Sequence, residues 1–208
     1  LINFMDIFFI MLIMDTNFSL KTNKNICDLI PLALSGDMQS KHAAALYSGG
    51  KRVAIGINHA KSCKKNKPML SCHAEMHALQ NYLLMNNAYY LSSLINDSVK
   101  SMNQRKNFRP IDISRYKFLK KKLSMYVVRV TKDGSLANSK PCSACRYYLK
   151  LFNVKDIIYT DDNGNLIKEK VDDLEDSFVS IAHFNYSEYL KGNCSLLFPP
   201  HKKVRNSN

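Results

Sequence analysis

Between residues 67 and 84 the chain reads "KPMLSCHAEMHALQNYLL", which sets His73, Glu75 and His77 within five residues, with Cys72 alongside. Far downstream, "KPCSACRYYLKLF" carries Cys142 and Cys145 as a Cys-x-x-Cys pair behind Pro141. Thiolate and imidazole are the ligands that zinc prefers, four in a tetrahedron when structural and three plus water when catalytic. Cys142 and Cys145 stand three apart at the start of an expected helix, so both sulfurs can face one point. The positive end of that helix favours thiolate over thiol. Pro141 suits a chain entering a helix. His73 also lies near an expected helix start, and two helices side by side on one sheet could bring it to the same point. Three protein ligands and one open corner would result. Glu75, two residues on, leans toward the same helix mouth. A carboxylate there can take a proton from a water that zinc has acidified to a pKa of about 7, and such positioned transfer adds roughly 10²–10⁴ in rate.

Other residues are weighed against this set. His77 follows His73 at i+4, a spacing for paired metal ligands, but the metalloprotease pattern needs Glu directly after the first His and Ala74 intervenes. His77 is therefore expected on a helix face. Cys72 is expected to be a small buried apolar residue. A redox role for Cys142 and Cys145 would leave "HAE" unexplained. Asn58, Tyr159, Asp161 and Asp162 are each compatible with substrate contact and with plain turn chemistry.

The elements that must position these groups alternate between strand and helix. A short helix is expected over 26–35, with Pro31 in its first turn. Residues 42–58 read as two strands around Gly49-Gly50. A basic loop over 61–68 leads to a helix opened by Ser71, with Met76, Leu79, Leu83 and Leu84 at helical spacing. "LSMYVVRVTKDG" is a strand ending in a turn. A helix follows over "CSACRYYLKLF", and "DIIYTDDNGNLIKEKV" reads as two strands around Asn163-Gly164. A further helix or strand is expected from Phe178 to Leu190, and the tail is expected to fray. Strands alternating with helices predict a three-layer α/β arrangement with a central mixed five-stranded sheet.

These 208 residues suit one domain. The expected division is an N-terminal extension over 1–25, a domain over 26–190 with a basic insertion at 86–122, and a basic tail over 191–208. Lys and Arg number 30 against 17 acids, a formal charge of +13, which attracts polyanions or phosphorylated ligands. Residues 98–122 hold nine Lys/Arg and the single acid Asp112. Phe108, Tyr116 and Phe118 are interleaved with those cations, as in stacking platforms for nucleic acid; a solvated face, a nucleotide-phosphate site and a partner interface are the alternatives. Six cysteines are too few for a disulfide scaffold. The apolar run over 1–13 is short for a bilayer span and lacks the basic region and cleavage site of a secretory signal. With Met5, Met11 and Met14 as possible starts, it is expected to lie outside the working fold. The protein is then expected to be cytoplasmic, without stable membrane association.

His-x-Glu followed by Pro-Cys-x-x-Cys is the signature of zinc nucleobase deaminases. Through "HAE" at 73–75, "PCSAC" at 141–145 and the strand "RVAIGIN", the chain resembles the cytidine/deoxycytidylate deaminase superfamily over roughly residues 26–172. The resemblance implies zinc on His73, Cys142 and Cys145, with Glu75 as proton shuttle. It also implies sugar contact at Asn58, the base held near the backbone of Ala74, and a homo-oligomer. The implied activity is hydrolytic deamination of a cytosine-type nucleoside or nucleotide, with a zinc-activated hydroxide as nucleophile. The 69-residue gap from His73 to Cys142 exceeds what that family's core needs. A hairpin at Asn163-Gly164 resembles the free-cytidine arm, whereas His as first ligand resembles the tRNA-adenosine and deoxycytidylate arms. A base in tRNA or another nucleic acid, a pterin or riboflavin precursor, and a silent zinc module that binds nucleic acid remain alternatives.

Overall fold

The computed structural model describes residues 17–61, 70–96 and 116–174. Two short helices come first, α1 (Leu20–Cys27) and α2 (Leu29–Leu34), where the sequence predicts one helix over 26–35. Ser19 caps α1 by accepting from the Thr22 N–H, so helix begins well before residue 26. Pro31 sits in the first turn of α2, where its missing N–H costs nothing.

A hairpin follows, β1 (Lys41–Ser48) and β2 (Lys51–Ile57). Its two-residue loop has positive φ at both Gly49 (55°) and Gly50 (77°), the geometry that matches strand twist and that glycine adopts without strain. A small ribbon, β3 (His59–Lys61) with β4 (Leu70–Cys72), precedes α3 (Ala74–Met85). The helix expected from Ser71 therefore starts three residues later. His59 pairs with Cys72 in the ribbon, so the backbone is held extended until His73. Helix α4 (Tyr89–Asn96) and a 3₁₀ turn (Lys117–Lys120) come next. Then come β5 (Leu123–Val130), β6 (Leu136–Ala137), α5 (Ser143–Leu151), β7 (Val154–Thr160) and β8 (Leu166–Lys170).

The main sheet runs β2-β1-β5-β7-β8, with β6 paired to the end of β5. Only β5 and β7 are parallel, joined through α5; the other pairs are antiparallel. The sheet is mixed, as the sequence predicts, and β7–β8 is the expected antiparallel hairpin. The two-residue strand β6 is a sixth member that periodicity cannot register. The central strands alternate between two cores. Ala43, Ala45, Tyr47, Val128 and Val130 pack with Ile26, Leu29 and Ala33 of α1 and α2. Ala44, Leu46, Met125 and Val127 pack with α3, α4 and α5 on the other face. Three layers result.

Helix α3 lies unusually close to β2. A Cβ on Gly56 would stand 2.3 Å from Ala78 N and 2.4 Å from Ala74 O, so only glycine admits the helix. On the free edge of β2, Asn81 Nδ2 donates to Ile55 O at 2.8 Å, and His77 Nδ1 lies 3.2 Å from Ile57 N and 3.0 Å from Ile57 O. Side chains one helical turn apart thus cover backbone groups that an edge strand otherwise leaves open.

Among the described residues no helix is long and apolar enough to cross a membrane. The apolar run at 1–13, all of the basic loop but Lys61, residues 98–115 of the basic segment, and everything from 175 onward, including Phe178 to Leu190 and the 191–208 tail, lie outside the described residues.

Candidate metal centre

His73 is the N-cap residue of α3, extended at φ −70° and ψ 150°, and its carbonyl accepts the first helical bond from His77 N at 3.0 Å. Its imidazole does not cap the helix. Cys142 holds the same position on α5, at φ −70° and ψ 164°, and Cys145 follows in the first turn. The loop entering α5 is clamped to the sheet. Buried Ser139 donates its Oγ–H to Val127 O at 2.9 Å and accepts from Thr160 N at 2.8 Å, while its own N–H donates to Thr160 O at 2.8 Å. Pro141 and Cys142 thereby enter α5 from a fixed point between β5 and β7.

The two helix N-termini meet. His73 Nδ1 lies 3.5 Å from Cys142 Sγ and 3.3 Å from Cys145 Sγ, and the three ligand atoms all fall within 4.8 Å of one another. Zn–S near 2.3 Å and Zn–N near 2.0 Å in a tetrahedron set N···S edges of about 3.5 Å. The donor set and its spacing fit zinc, and these three residues could hold a metal ion.

The three groups shift one another's protonation. A hydrogen bond from Cys145 and then the His73 imidazole hold the Cys142 thiol down to about 3, against the opposing cost of burial. Cys145 moves the other way: donating to Cys142, and fully buried, its thiol is pushed well above the ordinary range. Burial alone would lower His73, but its bond to Cys142 and the charge of Glu75 outweigh that and lift it to about 9. One thiolate and one imidazolium thus share the centre. A bound dication replaces those protons.

Glu75 lies on the first turn of α3 and is only 5% exposed. Burial raises its carboxyl above the usual range, with His73 pulling the other way. A carboxyl raised by burial beside a candidate metal group is of the kind that serves in proton transfer. Ala74, between them, is fully buried. Asn58 is buried and ties down its surroundings: Oδ1 accepts from His42 N at 2.8 Å and Nδ2 donates to Ser40 O.

Among the described residues, the group that could hold a metal is His73, Cys142 and Cys145, and the remaining sequence candidates make other contacts. His77 turns to Ile57 and packs edge-on against His59, ring centroids 4.6 Å apart. Cys72 is buried with its Sγ near His73 O. The Asp161 carboxylate accepts from Asn163 N and Asn165 N in the β7–β8 turn, and Asp162 accepts from Asn138. Tyr159 is buried on β7, its hydroxyl held up at about 12 by burial and by Glu169. Two polar residues on the same sheet face went unnoticed in sequence. His42 on β1 pairs across the ladder with Arg129 on β5, and His42 is near enough to His73 for their charges to oppose each other. Strand alternation puts each on a face, but which strands are neighbours is not legible in the letters.

No protein-family model matches the chain, and no curated protein matches it. Among solved structures, the crystal structure of cytidine deaminase from Burkholderia pseudomallei aligns with 79% of this chain and 100% of its own length, at 17% identity and a TM-score of 0.40.

Proposed function

We propose that the chain is a zinc-dependent hydrolytic deaminase of a cytosine-type nucleoside or nucleotide. The carrying observation is the meeting of His73, Cys142 and Cys145 with a buried carboxyl, Glu75, two residues from the histidine. A structural zinc is closed by four protein ligands and has no use for a proton carrier; here three ligands converge and a carboxyl stands ready. When bound, zinc supplies Lewis acidity, which makes water nucleophilic near neutral pH.

The rest of the work falls to the chain. Glu75 takes a proton from the attacking water and delivers it to N3 of the ring as oxygen adds at C4. It then relays the remaining water proton to the amine, which leaves as ammonia while the C4 carbonyl forms. One water is consumed and one ammonia released. Ala74, with its backbone against Gly56, fixes the helix mouth next to which the base would lie. Asn58 holds the start of β1 at the opposite wall.

Ammonia release from zinc-loaded protein tests this on cytidine, deoxycytidine, their monophosphates and tRNA. The expected result is turnover of at least one of them that falls by about 10²–10⁴ in Glu75→Gln while the zinc content stays at the wild-type level. Full turnover in that variant would remove Glu75 from the mechanism. Activity confined to tRNA would move the reading to a base in nucleic acid.

A further inference from the structure

His42 and Arg129 stand opposite each other in the β1–β5 ladder. His42 alternates with Ala44 and Leu46, and Arg129 with Met125 and Val127, and those four are buried against α3 and α5. Both polar side chains therefore leave the sheet on the face where the metal centre sits, at the end of β5 that leads toward Cys142. Arg129 is half-buried and always charged. The ion pairs among the described residues are Lys122–Asp156 and Lys150–Asp172, so Arg129 has no carboxylate partner there. Among the described residues this half-buried guanidinium thus has no carboxylate beside it, and its fork of donors suits an anion.

The described neighbours do not supply one. Burial, against the opposing hydrogen bond to Ser40 and with smaller help from the charges of Arg129 and His73, lowers the His42 imidazole to about 4, so it supplies no charge at neutral pH. Its ring contacts are made by Nδ1, at 3.5 Å from Ser40 Oγ and 3.4 Å from Ser40 O, which leaves Nε2 without a partner among the described residues. The strand end is fixed, since Asn58 binds the backbone of His42 on both sides. This corner of the site offers a planar cation with five donors and a neutral imidazole. A phosphate ester is the complementary group, because its oxygens match the guanidinium fork.

We propose, on the basis of the deaminase reading above, that Arg129 with His42 beside it recognises a phosphomonoester, so that the substrate is a nucleoside monophosphate and not the free nucleoside. The excess of positive charge over the whole chain would steer such an anion inward.

The test uses the full zinc-loaded chain with cytidine and CMP, deoxycytidine and dCMP, and a short oligonucleotide carrying one cytidine. Wild type, Arg129→Gln and Arg129→Lys are compared, and calorimetry measures the binding of uridine and UMP. Wild-type kcat/KM should favour the monophosphate over the nucleoside by about 10- to 100-fold. That ratio should collapse toward one in Arg129→Gln and be partly kept in Arg129→Lys. A wild-type ratio near one, a ratio unmoved by Arg129→Gln, or faster turnover of the oligonucleotide than of any monophosphate would overturn the assignment. The binding arm separates the two readings. If nothing is deaminated but UMP outbinds uridine and Arg129→Gln erases the difference, the phosphate site stands and the deaminase reading falls. Equal binding of UMP and uridine overturns the site.

Discussion

Burial lifts the Glu75 carboxyl and lowers the His42 imidazole for one reason: low dielectric penalises whichever form carries charge. For Glu75 the result is a carboxyl that holds its proton to higher pH; for His42 it is a measurable dependence of stability on pH. The unfolded imidazole titrates at 6.5 and the folded one at about 4. Above 6.5 neither state takes the proton. Between 6.5 and 4 only the unfolded chain does, so stability falls as the pH drops through that window. The full loss is at most about 3 kcal/mol. Thermal unfolding of wild type and His42→Gln between pH 7 and pH 4 measures it. The variant should lose less stability over that range, and equal acid limbs would show that His42 is not charged on unfolding.

At the scale of elements, the metal centre depends on how closely α3 can approach β2. Gly56 permits that approach, and Asn81 and His77 fasten the helix to the outer edge of the strand. A methyl group at position 56 would collide with helix backbone, which cannot move aside as a side chain can. Gly56→Ala should therefore destabilise the fold by about 1–3 kcal/mol or more, the range for overpacking a filled interior. It should also weaken zinc binding, because His73 and Glu75 ride on the displaced helix. Denaturant unfolding and zinc content of the purified variant test both effects; a variant with wild-type stability and full zinc would show that the helix has room to shift. The long stretch between α3 and β5 enters here too. Helix α4 and the 3₁₀ turn frame the start and end of that span, where Tyr82 donates its hydroxyl to Phe118 O and Asn153 Nδ2 donates to Leu119 O.

For the whole molecule, the candidate centre joins segments far apart in the chain, so metal binding there would be coupled to folding. Zinc at a thousand times its dissociation constant should add about 4 kcal/mol to stability. Scanning calorimetry with zinc and with chelator should show a lower Tm after zinc removal, and Cys142→Ser should show the low Tm under both conditions. Coincident transitions for the wild type would mean that the three ligands do not bind metal in the native state.

The ligand types, Cys142 and Cys145 within one helical turn, and Glu75 two residues from His73 are local relations, and the sequence by itself determined them. Short-range periodicity likewise determined the Gly49-Gly50 and Asn163-Gly164 hairpins and the alternation of strands with helices, because turn chemistry and side-chain period act over a few residues. The pairing of β1 with β5 was settled only by tertiary structure, since neighbours in a sheet are chosen by packing over the whole chain. That pairing placed Arg129 beside His42 and both on the face of the metal centre. The late start of α3 was also a tertiary outcome, because pairing of His59 with Cys72 holds the preceding backbone extended. His73 thereby became a cap residue whose imidazole meets Cys142 and Cys145 instead of one more residue inside a helix.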